Sequence, residues 1–270
     1  MARPVTTRDE LLRVYDEQLR TDAETPSQES VRLLGPLRLV TFPHGRGFVT
    51  YQDLDGADAS TIRAWVGEAL EHYRADPAIT RVEWKTRGHD AAPGLHDSLL
   101  AHGFVADETE SVMIGEPGPL DVDVPLPNGV TLRSVRDEPD VRAMAAMQDL
   151  AFDGHVTEGS AEPLLRRLAL QDGMELWVAE HGGVMVSAGR LEPVAGTAFA
   201  GLWGGATLPE WRGRGIYRAL TAARARSALR AGKTLLHSDS TEYSRPILER
   251  NGFVKVTTTT PYRWTRPSGQ

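Results

Sequence analysis

The chain is 270 residues long, with 40% hydrophobic and 25% charged residues and a formal net charge of −7, ordinary globular proportions that are long for one domain and comfortable for two. Cysteine is absent, which excludes disulfides, thiolate metal sites and a cysteine nucleophile. No apolar run approaches the 18 residues of a membrane span, and none follows the basic residue of the opening MARPVTTRDE as a secretory leader requires, so a cytoplasmic protein is expected.

The charge is unevenly divided. Residues 1–118 carry 12 basic and 20 acidic side chains, and residues 119–270 carry 18 and 17. Seven of those 18 basic residues fall between Arg212 and Lys233, a span without an acid. An acidic protein lacking a broad basic face is a poor nucleic-acid binder, whereas a compact polyanion fits one local basic cluster.

In chain order, LRLVTFPHGRGFVTYQDL (37–54) reads as β, ASTIRAWVGEALEHYRAD (59–76) as a helix and ITRVEWKTR (79–87) as a strand. PGLHDSLLAHGF (93–104) is a helix closed by Gly-Phe, and VADETESVMIG (105–115) is β again. The Pro- and Gly-punctuated GEPGPLDVDVPLPNG (115–129) reads as a linker. Beyond it come a strand at 130–135, helices at 138–152 and 161–170, and a hairpin at 174–194 turning at His181-Gly182-Gly183. A strand at 198–208, a long helix, a strand at 233–240, a helix at 242–252 ending in Asn-Gly and a β segment at 253–264 complete the chain. The helix–Gly–Phe–strand ending recurs, with Phe104 and Phe253 149 residues apart, and reads as a degenerate internal duplication. Helices between consecutive strands argue for an α/β sheet domain.

Between the strand at 198–208 and the long helix lies LPEWRGRGIYRAL. A helix start presents unpaired N–H groups and a partial positive charge, both suited to an anion. Gly213 and Gly215 allow close backbone approach, and Arg212, Arg214 and Arg218 surround the turn with positive charge suited to phosphate. The stretch is read as a pyrophosphate cradle; the competing reading is a tight turn with solvated arginines. It lacks the G-x-G-x-x-G spacing of a dinucleotide fold.

This stretch resembles the acetyl-CoA loop of the GNAT acyltransferase superfamily, Q/R-x-x-G-x-G/A, with Arg212 on the first position and Gly215 on the glycine. Tyr217 stands where the family has Gly or Ala, and would either narrow the pantetheine channel or turn into the helix packing. The resemblance covers 129–264, and the N-terminal part is similar to a second GNAT domain whose equivalent helix start carries Asp55 and Asp58 in place of arginines. It implies a mixed, mostly antiparallel α/β (α+β) sheet flanked by helices in two tandem domains: 1–118 degenerate, 119–128 linker, 129–270 binding acetyl-CoA. It also implies that Gly205, Ala206 and Thr207 pair with pantetheine while the amides of Gly213, Arg214, Gly215, Ile216, Tyr217 and Arg218 hold the pyrophosphate. Arg224, Arg226 and Arg230 would reach the 3′-phosphate or line a solvated helix face.

The reaction so implied is direct transfer of an acetyl group to a small-molecule primary amine in a ternary complex, without a metal. A protein acetyltransferase and a non-catalytic acyl-CoA-binding module are the alternatives. The strand at 198–208 has no acid, so His237, Asp239 and Glu192 are the candidate bases. His237 and Asp239 share a strand face, either as an oriented pair or as a half-buried histidine capped by a carboxylate. Leu248 occupies the position of the family's tyrosine acid; Ser244, one turn earlier, would bond the sulfur or cap the helix. The acidic, partly aromatic segment 147–163, with Asp153 and His155, and Trp203 beyond it, favours a cationic amine. Monomer and homodimer remain open.

Overall fold

A computed structural model describes residues 7–152 and 154–267. They form α1 (Arg8–Leu19), β1 (Ser30–Leu34), β2 (Leu37–Phe42), β3 (Arg46–Thr50), α2 (Ala59–Ala75), β4 (Arg81–Arg87), α3 (Leu95–Ala101), β5 (Val105–Ala106) and β6 (Glu110–Gly115). These are followed by β7 (Val130–Val135), α4 (Glu138–Phe152), α5 (Glu162–Ala169), β8 (Glu175–His181), β9 (Val184–Pro193), β10 (Phe199–Thr207), α6 (Ile216–Arg230), β11 (Leu235–Ser240), α7 (Arg245–Glu249) and β12 (Val254–Thr265). The expected helix at 242–252 is the short α7, because Pro246 and the Asn251-Gly252 stop leave it little length. The expected β segment 105–115 is two strands.

The chain divides into two compact units that are not continuous in sequence. The first comprises Met1–Val112, Asp239–Pro246 and Lys255–Gln270; the second comprises Met113–Ser238 and Ile247–Val254. The last strand pairs within the first unit: it runs antiparallel to β4, from Thr259 opposite Arg87 to Thr265 opposite Arg81.

In the first unit β1, β2 and β3 form an antiparallel meander, and β3 pairs parallel with β4 across α2. Its core joins Leu39, Val49, Ile62, Val66, Leu70, Trp84, Leu99 and Trp264. Two features at the N-terminal end escape periodicity read from residue 37 onward. Thr7 and Glu10 form a reciprocal capping box that starts α1, and Leu11, Tyr15 and Leu19 make its buried face. At the start of α2, Asp58 accepts the N–H of Thr61 at 2.8 Å. The Thr61 and Ser60 bonds hold its carboxyl at about 2, so a carboxylate stands where the second unit has a glycine turn.

Pairing between β3 and β4 stops at Val49 opposite Trp84. Beyond it, α1 and the turn after it bridge the diverging ends. Arg20 donates to the carbonyl of Tyr51 at 2.9 Å and pairs with Asp90 at 2.7 Å. Glu24 accepts Thr50 Oγ1 at 2.6 Å and pairs with Arg87, which also bonds the hydroxyl of Tyr15 at 3.0 Å. Side chains of the protein itself fill this opening.

The second unit orders β7, β8, β9 and β10 antiparallel and adds β11 parallel to β10 across α6. One face packs on α4 and α5 through Met144, Met147, Leu176 and Ala188. The other packs on α6 through Leu191, Leu202, Ala225, Ala228 and Leu236. The repeat of antiparallel pairs followed by a helix and a parallel strand in both units agrees with the duplicated plan.

Burial pushes the Glu24 carboxyl up, but Arg87, Lys85 and the Thr50 hydroxyl outweigh it and hold it below its ordinary range. A carboxylate with a depressed folded value adds stability above its unfolded pKa and loses it as pH falls through the folded one. Glu24→Ala leaves Arg87 buried without its partner and is expected to cost about 3–5 kcal/mol in urea unfolding at pH 7. The difference from the parent should shrink as the pH drops below the carboxylate range; an unchanged midpoint at pH 7 contradicts this role.

Candidate active site

The second unit's sheet parts in the middle. β10 and β11 pair only at Phe199–Leu235, Ala200–Leu236 and Gly201–His237, although β10 continues to Thr207 and β11 to Ser240. Just past that point the register between β10 and β9 shifts between Trp203 and Ala206. This is a bulge built on Gly204 and Gly205, with Gly204 at φ +58°. Gln148 of α4 donates to the carbonyl of Gly204 at 2.6 Å and fixes the bulge to the helix above it.

At the C-terminal end of β10 the chain turns through an exposed loop into α6. Gly213 and Gly215 lie at φ +73° and +81°, a left-handed backbone that disfavours any side chain. A Cβ on Gly213 would meet nothing within 4 Å, so the turn is open to a ligand. The first bond of the α6 ladder is Ala219 N–H to the carbonyl of Gly215 at 3.0 Å. The N–H groups of Ile216, Tyr217 and Arg218 therefore precede the ladder and form the helix's electropositive start. An exposed, glycine-lined helix start of this kind suits an anion. The start of α2, filled by the Asp58 carboxylate, does not suit one.

The side chains around the loop divide between local structure and exposure. Arg212 donates to the carbonyls of Thr207 and Ala151, both at 3.0 Å, and so ties the end of β10 to the end of α4. Arg214 lies over the Trp211 ring at 4.9 Å, and Arg218 is exposed. Tyr217 turns inward: a Cβ on Gly205 would meet its ring carbon Cε2 at 2.6 Å. Of Arg224, Arg226 and Arg230, only Arg230 is exposed and remote from a carboxylate partner in its described bonds, donating to Ser227. Arg226 pairs with Asp121 at 2.7 Å.

Arg224 corrects the expectation of a phosphate ligand or a solvated face. It is 1% exposed, donates to the carbonyls of Leu220 and Arg190 and the hydroxyl of Thr221, and lies under the Tyr217 ring. Burial pulls its guanidinium below the ordinary range, with Tyr217 opposing and Arg190 reinforcing that effect. Gly189 is required there, since a Cβ would stand 2.5 Å from Arg224 Nη1.

On the α4 face, register aligns Glu192, Gly201 and His237 in one rung across β9, β10 and β11. Trp203 shares that face and leans back over Gly201, where a Cβ would overlap its indole nitrogen. His237, 9% exposed, makes T-shaped ring contacts with Trp203 and Phe199 at centroid distances of 5.1 and 5.7 Å. Glu192 pairs with Arg190 at 2.5 Å and lies 3.7 Å from Arg167. Arg167, Arg190 and Gln148 lack any motif; Arg190 is identified by strand register and the other two by their bonds to that face. Asp239 belongs to the first compact unit and takes a 2.7 Å bond from Lys85. Burial pulls the Lys85 ammonium down, Asp239 overrides it, and the ammonium ends above its ordinary range. Ser244 bonds the carbonyl of Thr241 at 3.4 Å. His155 is exposed, and Asp153 lies outside the described residues.

Residues 142–253, from α4 to the closing Gly-Phe, match the Acetyltransferase (GNAT) family. The chain carries a GNAT acetyltransferase domain. It is 28% identical to a mycothiol acetyltransferase of Streptomyces bingchenggensis over 96% of this chain and 93% of that one. Among solved structures, a GCN5-related N-acetyltransferase from Kribbella flavida superposes with a TM-score of 0.65 at 20% identity, covering 98% of this chain and 97% of that one. A tandem GNAT protein from the clavulanic acid biosynthesis pathway gives 0.63 at 16% identity, covering 98% of each. The mixed sheet flanked by helices is thus the tandem GNAT fold, and the enzyme class is acyltransferase. GNAT acetyltransferases use acetyl-CoA as acyl donor and act on an acceptor substrate. No described helix is long and apolar enough to cross a membrane. Among the described residues, no group of three or more His, Cys, Asp or Glu is placed to hold a metal ion.

The Arg212 bonds give this GNAT domain a loop clamp. Arg212→Met is expected to raise amide exchange in 208–216 at least about tenfold while global stability shifts by less than about 1 kcal/mol, since local opening and global unfolding are separable. Unchanged exchange in that segment contradicts the clamp.

Proposed function

We propose that the chain transfers an acetyl group from acetyl-CoA to a primary amine of a small molecule, with both substrates bound at the second unit. The observation that carries this reading is the opening between β10 and β11 ending in the glycine turn at the start of α6. The amides of Gly213 to Arg218 would hold the diphosphate, and the exposed edge of Gly205 to Thr207 would pair with the pantetheine amides as an added strand. The partition into a degenerate 1–118 copy and a binding 129–270 copy belongs to the same proposal. It is supported by the Asp58 cap and by the side chains that fill the β3–β4 opening.

Bound acetyl-CoA supplies a thioester whose carbonyl carbon takes the amine nitrogen while the thiolate leaves. The chain's residues have three tasks: to receive a proton from the amine, to donate to the carbonyl oxygen as charge builds there, and to exclude water. The backbone from the Gly204–Gly205 bulge to Thr207 is the source of the oxygen's donors. Glu192 is held between two guanidinium groups, whereas His237 lies where the strands part, so we assign the base to His237. A histidine ordinarily titrates near neutrality and suits this role. A thiol of ordinary pKa about 8.5 leaves tolerably as thiolate, so Leu248 in place of an acid does not preclude transfer.

A small-molecule acceptor is supported by the relative's name, mycothiol acetyltransferase, which refers to a small molecule rather than a protein. His155 and Trp203 are proposed to line the acceptor side, with Asp153, outside the described residues, kept as a sequence candidate. The stretch of sequence around His155 also carries Asp149 and Glu158, which favour a cationic amine.

Gly215→Val places a β-branched residue at φ +81° and blocks the turn; acetyl-CoA affinity in calorimetry is expected to fall at least about tenfold with the circular dichroism spectrum unchanged. Unaltered affinity contradicts the loop assignment. Free-thiol release in a panel of amines tests transfer itself, and release with none of them favours the non-catalytic module. With an accepted amine, His237→Ala should lower kcat by about 10²–10⁴-fold and remove the acidic limb of the pH–rate profile. A retained limb takes His237 out of the base role.

A further inference from the structure

The opening between β10 and β11 has a blind end, and one side chain forms most of it. Resting on the acetyl-CoA reading above, the direction of the donor follows from the topology. β10 runs from Phe199 toward the loop and α6. A nucleotide at the start of α6 therefore lies at the open end, and the thioester and its acyl group point back toward the last paired rung, Gly201–His237.

That end is closed on both faces. On the α6 side Leu202 and Leu236, 4% and 0% exposed, pack against the helix. On the α4 side the Trp203 indole folds back over Gly201, because that residue lacks a side chain, and rests edge-on against His237 at 5.1 Å. Phe199, fully buried, backs the same histidine. The aliphatic wall belongs to the helix core, and its removal would open a cavity in the fold. Trp203 is only half-buried, so its ring is the part of the closure that can be cut away without dismantling the core.

We propose that Trp203 determines acyl-chain length, closing the slot so that an acetyl group fits and longer chains do not. Packed protein interiors resist added methylenes, and a pocket discriminates by about 10–200-fold per methylene. Gly201 is part of the same device, since any side chain there would displace the indole.

The test needs no acceptor. Calorimetry measures the affinities of the parent, Trp203→Ala and Trp203→Leu for free CoA, acetyl-CoA, butyryl-CoA and hexanoyl-CoA. The parent should bind hexanoyl-CoA at least about tenfold more weakly than acetyl-CoA. In Trp203→Ala that ratio should fall to about threefold or less while free CoA binds as in the parent, with Trp203→Leu between the two. Trp203→Leu keeps an apolar contact and decides the matter should the alanine variant fail to fold. Equal affinities across the series in the parent, or the same chain-length penalty in every variant, overturn the proposal while leaving the donor site intact. A parent that binds free CoA nowhere overturns the acetyl-CoA reading itself, and the proposal with it.

Discussion

Two parallel strands that stop pairing after three residues govern the second unit. Hydrogen bonding between β10 and β11 ends at Gly201–His237, and backbone groups beyond that point need other partners. Part of the need is met inside the protein: Gln148 takes the carbonyl of Gly204, Ser187 that of Ala206 and Arg212 that of Thr207. The bulge, α4 and the loop are thereby coupled to the same opening. The helix that follows begins at a left-handed glycine without a side-chain cap, so its first amides face outward at the mouth of that opening. An anionic head and an extended tail fit this pairing of features.

The first unit has the same plan with the opposite outcome. Its parallel pair also parts, at Val49–Trp84, but Arg20 and Glu24 reach across the diverging ends. Its crossover helix is capped by Asp58, whose carboxylate satisfies the helix start and presents a negative charge. The same strand order thus ends in side-chain bonds across the parting strands in one unit and in a bulge and an exposed glycine turn in the other.

Much of this was legible in the sequence because it rests on local chemistry. The turn at Gly213 and Gly215, the strand before it and the amphipathic elements around it follow from residue type and spacing. Other parts were not. The capping box of Thr7 and Glu10 lies outside the elements assigned from residue 37 onward, and the filling role of α1 depends on residues far apart in sequence. The exchange of β12 onto β4 is a matter of strand pairing, which periodicity does not encode. Arg224 misleads for a similar reason: a basic residue on a basic helix suggests a surface, and only the absence of a side chain at Gly189 makes room for it inside. The rung of Glu192, Gly201 and His237 required register across three strands.

The arginines of the loop and of α6 accordingly divide by what they touch. Arg212, Arg224 and Arg226 serve carbonyls, hydroxyls and carboxylates of the protein, and Arg214 lies on Trp211. The proposed anion site then rests chiefly on main-chain donors, whose positive potential is fixed by the helix, with the exposed Arg218 beside them. Amide hydrogen exchange with and without acetyl-CoA tests that claim most directly. The account predicts slowed exchange concentrated in 204–218, with none at the start of α2. Protection that spares 212–218, or that gathers around Asp58, would contradict it.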